Sequence, residues 1–593
     1  MAVPALPLNG SSFAVARAKT WIAPCYALGL TSLILAPLMA PGYLLLRDAV
    51  STPRSYLTAT ALGLGETSPR AVPQDFAMAL ASRVIDGGIV VKLLLFAGLW
   101  LAGYGAARLV ALALPEAGLP GQLVGTTVAL WNPYVAERLL QGHWSLLVGY
   151  GALPWLAMAM LRLRAGETGL LRLVFFLALA GLTPTGLLLG LTVALVCVAV
   201  PGDGPPRWWS ATSAVAIAAT AALPWLMALV LSTGTARGEA AGVAAFAARA
   251  EPGLGTLGSL TGLGGIWNVE AVPSSRHTIF ALVATLVFVA VLALGWPEVR
   301  ERTAVRPLLI LAVSTVLAVT ALASKPGQAT LRWAMEIAPG LGILRDGQKW
   351  LALAMPGYVL AGAGAVIVLG RRMPPARAAA ACCAALIVAL PDLSWGVAGR
   401  IHPVHYPPGW QAVAAIINAD PRPVAVLPAG SMRQFPWTKT APVLDPLPRW
   451  LRAEVLTTGD LRVGDQTVPG EGAHARDVQQ TLLTGADPTA LGIEGVGWVV
   501  RETSRSGDMG AADKTLHRLP IAYQDSDITL YRVGGRSQPV SAGSRRAAIA
   551  AHLAWLGLLV VGAAVPVASR LRRLQVSRRH GGSARAPGRR SRR

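Results

Sequence analysis

Charge is what this chain has least of. Asp, Glu, Lys and Arg make up 14 % of its 593 residues, against roughly 25 % in a soluble domain. So few charges cannot cover a fully solvated surface, which argues against a soluble helical protein. Acids are the scarcer sign: 30 Asp and Glu stand against 52 Lys and Arg, for a net charge of +22. Cysteine is nearly missing. Cys25, Cys197, Cys382 and Cys383 all fall inside apolar runs, with no histidine at metal-ligand spacing. They read as small core residues, which leaves no disulfide framework and no zinc cluster. There is no phosphate-binding Walker loop, no dinucleotide fingerprint, no Gly-x-Ser-x-Gly and no zinc-protease motif. His402-x-x-His405 is too little to make a metal site. No metal ligand is therefore assigned, and participation of a divalent metal stays open.

What the chain does have is hydrophobic length. Apolar residues reach 53 %, with mean hydropathy +0.51. Runs near 20 residues recur, the length that crosses a hydrocarbon layer. They predict twelve spans, near 20–46, 88–114, 118–132, 145–161, 169–183, 185–200, 209–232, 277–296, 307–323, 350–370, 377–397 and 547–569. The third, fifth and sixth are short, and Thr183-Pro184-Thr185 separates two of them. That pair is either a tight hairpin or one broken helix. The first run is too long for a cleavable signal and lacks a small-residue cleavage site, so it is expected to stay as an anchor.

Positive charge orients the bundle. Arg162 and Arg164, Arg207, Arg300, Arg302 and Arg306, and Arg371, Arg372 and Arg377 fall in alternate short loops. Arg17 and Lys19 join that set, and so does the tail 570–593, which holds ten Arg and no acid. Both termini are then expected in the cytoplasm, with the tail retained near anionic lipid rather than bound to nucleic acid. The long segments 47–87, 133–144, 233–276, 324–349 and 398–546 would face outward, where nucleotide sugars and ATP are absent.

Three polar clusters border spans on that outward side. Asp48 follows the first span in Leu44-Leu45-Leu46-Arg47-Asp48. A carboxylate there suits a base for a hydroxyl, or a holder of a phosphate-binding cation, or is a plain helix-end charge. The second cluster is Trp131-Asn132-Pro133-Tyr134-Val135-Ala136-Glu137-Arg138, followed by Gln141-Gly142-His143-Trp144. In a helix, Glu137 and Gln141 share a face. Trp131 and Trp144 read as interfacial anchors or sugar-stacking surfaces. The third is Arg345-Asp346-Gly347-Gln348-Lys349-Trp350. Two cations four apart suit a polyprenyl phosphate or pyrophosphate, the plainer reading being snorkelling.

Between clusters, Val72, Phe76, Leu80 and Val84 recur every four residues after Pro73. They predict a short amphipathic helix, in the interface or packed on the bundle. Segment 398–546 is richer in Pro, Asp, Arg and Thr. Strand-like runs at 424–428, 497–500 and 529–533, with a helix over 475–490, predict a small α/β domain. Arg433, Trp437, Asp445, Arg449 and Trp450 would line a carbohydrate-facing surface or pack the domain on the bundle. No internal repeat is evident, which weighs against an inverted-repeat transporter.

This layout resembles the GT-C superfamily of integral-membrane glycosyltransferases. The resemblance rests on Asp48 after the first span, the stretch from Pro73 to Val84, the Glu137–His143 loop and the 398–546 domain. The Asn132–Arg138 and Arg345–Lys349 stretches also look like those of conserved actinobacterial polytopic membrane proteins. The paired acids of the family's first loop are missing here, since Ala49 follows Asp48; Glu66 and Asp75 are the substitutes. The resemblance implies an all-α polytopic bundle of about twelve spans with a small extracytoplasmic α/β domain. It further implies sugar transfer from a polyprenyl-phosphate donor to a cell-envelope glycan or glycolipid. Asp48, Glu137 and His143 would be catalytic; Arg345, Lys349, Arg138 and Trp144 would bind substrate. The alternatives are a transporter or flippase of a lipid-linked envelope precursor, and a noncatalytic envelope assembly protein.

Overall fold

The computed structural model describes residues 10–66, 71–231, 242–439, 441–463, 466–536 and 540–582. Parts of two predicted segments, 233–241 of a loop and 583–593 of the basic tail, lie outside the described residues, as do the side chains of Arg17 and Lys19.

Helices α1 (Gly10–Leu35), α2 (Gln74–Ala81), α3 (Gly87–Ala113), α4 (Gly118–Leu130), α5 (Pro133–Gln141) and α6 (Trp144–Arg164) come first. Then follow α7 (Leu170–Ala180), α8 (Pro184–Val198), α9 (Arg207–Leu231), α10 (Gly255–Thr261) and α11 (Phe280–Val299). Helices α12 (Arg306–Ala323), α13 (Lys325–Ile337), α14 (Met355–Gly370) and α15 (Pro375–Val388) complete the bundle's main run.

Among the described residues eight helical segments are long and apolar enough to cross a membrane. A ninth arises if Pro375–Val388 and Pro391–Ala398, bent by 74°, count together. Twelve were expected, and the difference lies in short helices. α4, α7, α8 and α15 have 13, 11, 15 and 14 residues. At 1.5 Å per residue, α4 is only ~20 Å long, short of a ~30 Å hydrocarbon core. Capping explains two of the breaks. Asn132 and Thr183 accept hydrogen bonds from Val135 N and Gly186 N, with Pro133 and Pro184 opening the next helix. Neighbours take up backbone carbonyls left open at helix ends: Trp131 Nε1 donates to Leu390 O, just past α15, at 2.9 Å, and Tyr150 Oη to Ala129 O, near the end of α4, at 2.7 Å. Trp131 thus ties helices together inside the bundle and is neither an interfacial anchor nor a sugar surface.

Ion pairs mark one end of the bundle and hydrogen bonds the other. Glu116, between α3 and α4, meets Arg302, between α11 and α12. Glu298 bonds both Arg302 and Arg371, which ends α14. At the opposite end Trp131 meets Leu390, and Ser275 N donates to Asp392 at 2.7 Å. Helix α2 lies against the bundle, with Phe76 only 2 % exposed and 4.5 Å from the His552 ring.

Segment 398–546 is an α/β unit. α16 (Pro408–Ala419) precedes β3 (Val424–Leu427), after two short strands near the chain start, β1 (Leu45–Leu46) and β2 (Ala49–Val50). The hairpin pairs β4 (Met432–Arg433) with β5 (Val443–Leu444), and β6 (Leu461–Val463) with β7 (Gln466–Val468), are antiparallel. α17 (Ala473–Leu483) and α18 (Pro488–Ile493) lead to β8 (Trp498–Glu502), β9 (Ile521–Gln524) and β10 (Ile528–Arg532). The sheet order is β3-β8-β10-β9, with β3 parallel to β8 and the other pairs antiparallel. Side chains alternate between faces, as strand geometry requires. Val424, Val500 and Leu530 pack with Trp410 and Ile417 of α16; Ala425, Leu427 and Val499 pack with Val478, Leu482 and Leu491. The expected strands are all present. The expected single helix is two, broken at Gly485 (φ +73°) and restarted by Asp487, which caps Thr489 N. α19 (Ala542–Gly582) returns to the bundle, where Trp555 Nε1 donates to Ala178 O at 2.8 Å.

Candidate functional site

The site begins where α5 ends. Gly142 takes φ +85°, and a Cβ there would collide with Leu46 O and Ala49 N. Only glycine both adopts that turn and lets α5 abut the β1/β2 hairpin. The abutment brings Asp48, at the hairpin tip, to the residues that follow α5.

His143 Nε2 lies 2.8 Å from Asp48 Oδ2, and Gln141 Nε2 donates to the same oxygen at 3.1 Å. On the other side of the ring, Arg138 Nη1 stands 3.1 Å from His143 Nδ1. A guanidinium has no acceptor, so Nδ1 is the bare nitrogen and Nε2–H is directed at Asp48. The ring is neutral in this arrangement. Burial, with the charges of Lys349 and Arg138, holds it below the usual histidine range despite the pull of Asp48. Burial alone would raise the Asp48 carboxyl. Hydrogen bonds from His143 and Gln141 outweigh it and keep Asp48 below the usual carboxylate range. Both bonds go to Oδ2, which leaves Oδ1 for the cavity, where 38 % of the side chain is exposed.

Behind this pair is a buried chain of charges. Arg138 grips Asp346 through Nη1–Oδ2 at 2.7 Å and Nη2–Oδ1 at 3.0 Å, and reaches Gln348 Oε1. Gln348 Nε2 donates to Glu137 Oε2 at 2.9 Å, and Glu137 also accepts from Gly265 N and Ile266 N. Burial would raise the Asp346 carboxyl, but Arg138 and Lys349 hold it well below the ordinary range.

Two expectations change here. Glu137 and Arg138 are fully buried, and neither lines the cavity. Every residue of α5 is buried, so its sequence period does not select an open face. Glu137 braces the 263–266 loop, and Arg138 neutralises Asp346 and orients His143. Trp144 does line the cavity, at 3 % exposure. Asp346, Gln348 and Gln141 lie within the clusters read from the sequence, which gave them no role in the site. Asp346 lies 208 residues from Arg138, so no local pattern announces the pair.

The cavity, of about 1730 Å³, opens between this end of the bundle and the α/β unit. Its bundle wall carries Asp48, His143, Arg345 and Lys349, with Trp225, Phe246 and Trp267. The Arg345 guanidinium sits 4.0 Å from the Phe246 ring centre, and Phe246 packs edge-on against Trp267 at 4.5 Å. Lys349 Nζ is 3.9 Å from Asp346 Oδ2. The facing wall carries hydroxyl and amide side chains, among them Ser431, Gln434, Thr457, Thr458 and Ser506. Several of its charges are paired: Arg433 with Glu502 and Asp445, Arg449 with Asp75, Asp460 with Arg476. Glu66 is turned to the backbone of His474 instead. Among the described residues, no group of three or more His, Cys, Asp or Glu is arranged to hold a metal.

Comparison of the chain with known protein families, with characterised proteins and with solved structures finds no match.

Proposed function

We propose that this chain is a multi-pass membrane glycosyltransferase acting outside the cytoplasm. It moves a sugar from a polyprenyl-phosphate donor to an envelope glycan or glycolipid. The observation that carries the reading is Asp48. Its carboxylate is fixed by His143 and Gln141 through one oxygen and turned to a cavity with the other, within a wall that also carries Arg345 and Lys349.

The chemistry follows from those positions. Asp48 Oδ1 takes the proton of the acceptor hydroxyl as its oxygen bonds to the sugar carbon. The bond from that carbon to the phosphate oxygen breaks, and the lipid phosphate leaves with its charge held by Arg345 and Lys349. The proton on Asp48 then passes to water. The cavity exceeds the ~300–1,000 Å³ of an ordinary ligand pocket, which suits two substrates at once. The cationic wall suits the phosphate donor, and the hydroxyl-rich wall with its paired charges suits a neutral, polyhydroxylated acceptor.

In this reading all twelve predicted spans cross, the short ones sheathed by neighbours that satisfy their ends. The Arg-rich turns then lie in the cytoplasm with both termini, and the α/β unit lies outside. The test is transfer by purified protein in nanodiscs, from a set of radiolabelled polyprenyl-phosphate sugars to envelope glycan fragments. Binding of these lipids without transfer to any acceptor would remove the enzyme and leave a lipid-precursor carrier.

A further inference from the structure

Asp48 is not held by the bundle alone. Its neighbour Arg47 has φ +49°, in the left-handed region that a two-residue hairpin normally gives to glycine or asparagine. That conformation persists because the residue is gripped from three sides. From the α/β unit, Pro442 O accepts Arg47 N–H at 2.8 Å, and Leu444 N–H donates to Arg47 O at 2.9 Å. From α5, Leu140 O accepts the Arg47 guanidinium at 2.7 Å. From the 268–271 turn, Glu270 O accepts it at 3.0 Å and Glu270 Oε2 at 3.4 Å. Arg47 is 4 % exposed. Asp48 N then donates to Gln141 O at 3.2 Å, which fixes the next peptide.

The strand that holds Arg47 also borders the cavity. Pro442, Leu444 and Asp445 are cavity residues. A ligand against that wall therefore touches the same short strand whose backbone sets the Arg47 turn.

We propose that Arg47 is the positioning residue for Asp48, and that it makes the α/β unit a working part of the site rather than a separate recognition module. The docked strand β5 and the Arg47 side chain together fix the turn that aims Asp48 at the cavity. Loosening either swings the carboxylate off His143, even though Asp48 and His143 themselves are unchanged. The proposal rests on Asp48 being the reactive carboxylate, but its geometry is testable without any transfer reaction.

The experiment uses the full chain with ¹⁵N-labelled histidine, His143→Gln serving to assign the signal. In the parent, the His143 ring reports a proton on Nε2 bonded to Asp48. Arg47→Ala leaves the proton on Nε2, because Arg138 still faces Nδ1, but moves the Nε2–H resonance upfield as its bond to Asp48 is lost; Arg47→Lys partly restores it, and Glu270→Ala gives a smaller shift in the same direction. Glu270→Ala keeps the test decisive if Arg47→Ala fails to fold, because 66 % of the Glu270 side chain is exposed. In a transfer assay, Arg47→Ala lowers kcat on the order of 10²-fold, as for a small misplacement of a reacting group, with the donor KM unchanged. A His143 signal identical to the parent's in every folded variant overturns the proposal. If the parent transfers no sugar but the signal moves as described, the glycosyltransferase reading fails and the positioning role stands.

Discussion

Arg138 holds His143 Nδ1 at 3.1 Å while His143 Nε2 meets Asp48 at 2.8 Å, so one guanidinium decides which ring nitrogen faces the carboxylate. The same guanidinium is the partner of buried Asp346. The carboxylate at the cavity and the ion pair behind it therefore depend on a single side chain.

Replacing the open carboxylate separates chemistry from folding. Asp48→Asn keeps an acceptor for His143 but loses the base. Transfer falls about 10²–10⁴-fold, the usual contribution of a general base, while the melting temperature stays near the parent's. An unchanged rate in Asp48→Asn would transfer the role to Asp75, whose carboxylate also lines the cavity.

Arg138→Met does the opposite. It leaves Asp346 buried beside Lys349 alone, and loss of one partner from a buried pair costs about 3–5 kcal/mol. A large drop in thermal stability is expected, and circular dichroism melting in detergent reads it. Glu137→Gln also destabilises, since one of its backbone donors loses a carboxylate oxygen. Folded Glu137→Gln protein retains transfer, because Glu137 has no access to the cavity.

Acid weakens this end of the molecule through His143. Its folded pKa lies below the usual value, which is about 6.5 in an unfolded chain. Above that pH the ring is neutral in both states and the contribution is complete. As pH falls through ~6.5 the unfolded chain takes up the proton first, so stability declines until the folded pKa is passed. Melting curves from pH 8 to 5 should show a steeper decline for the parent than for His143→Gln. Parallel curves would mean that the ring is not buried neutral.

On the proposed reading, donor binding depends on Arg345 and Lys349. The double change Arg345→Gln with Lys349→Gln should weaken polyprenyl-phosphate binding by more than tenfold with folding intact, a charge-assisted bond to phosphate being comparatively strong. Arg345→Lys rescues only partly, because it loses the planar fork and the stacking on Phe246. Equal binding by the double variant would move the donor site elsewhere in the cavity.

Sidedness is read by labelling intact cells. In a cysteine-free background, Arg452→Cys on the α/β unit should react with an impermeant thiol reagent, and Arg372→Cys should not. Both are exposed. The reverse pattern would invert the orientation and place the cavity in the cytoplasm.

The sequence made the borders of the helices legible, and with them Asp48 and His143. A polar residue next to an apolar run is visible without any structure. Three strands of the main sheet were legible too, since Val-rich runs such as 424–427 stand out from their surroundings; the fourth, Ile521–Gln524, was not. The shortness of the helices around 118–132, 169–183 and 185–200 was legible as well, with Thr183-Pro184-Thr185 between two of them. The break after Val388 was not: hydropathy runs on to residue 397, whereas the backbone bends by 74° before Pro391. Nor was the division of labour around α5. Helical spacing puts Glu137 and Gln141 on one side, but the surrounding loops cover Glu137 and leave Gln141 beside Asp48. The Arg138–Asp346 bond joins segments too distant for any local rule.

The pairing of Arg47 with the 442–444 strand also has a consequence in time. A ribosome adding ~5–20 residues per second needs roughly 20–80 s to travel from one partner to the other. Throughout that interval the Arg47 turn lacks its strand. A nascent chain with most of its apolar helices already made still lacks the strand that sets the Arg47 turn, and the Asp48 arrangement arrives only once the α/β unit is being made.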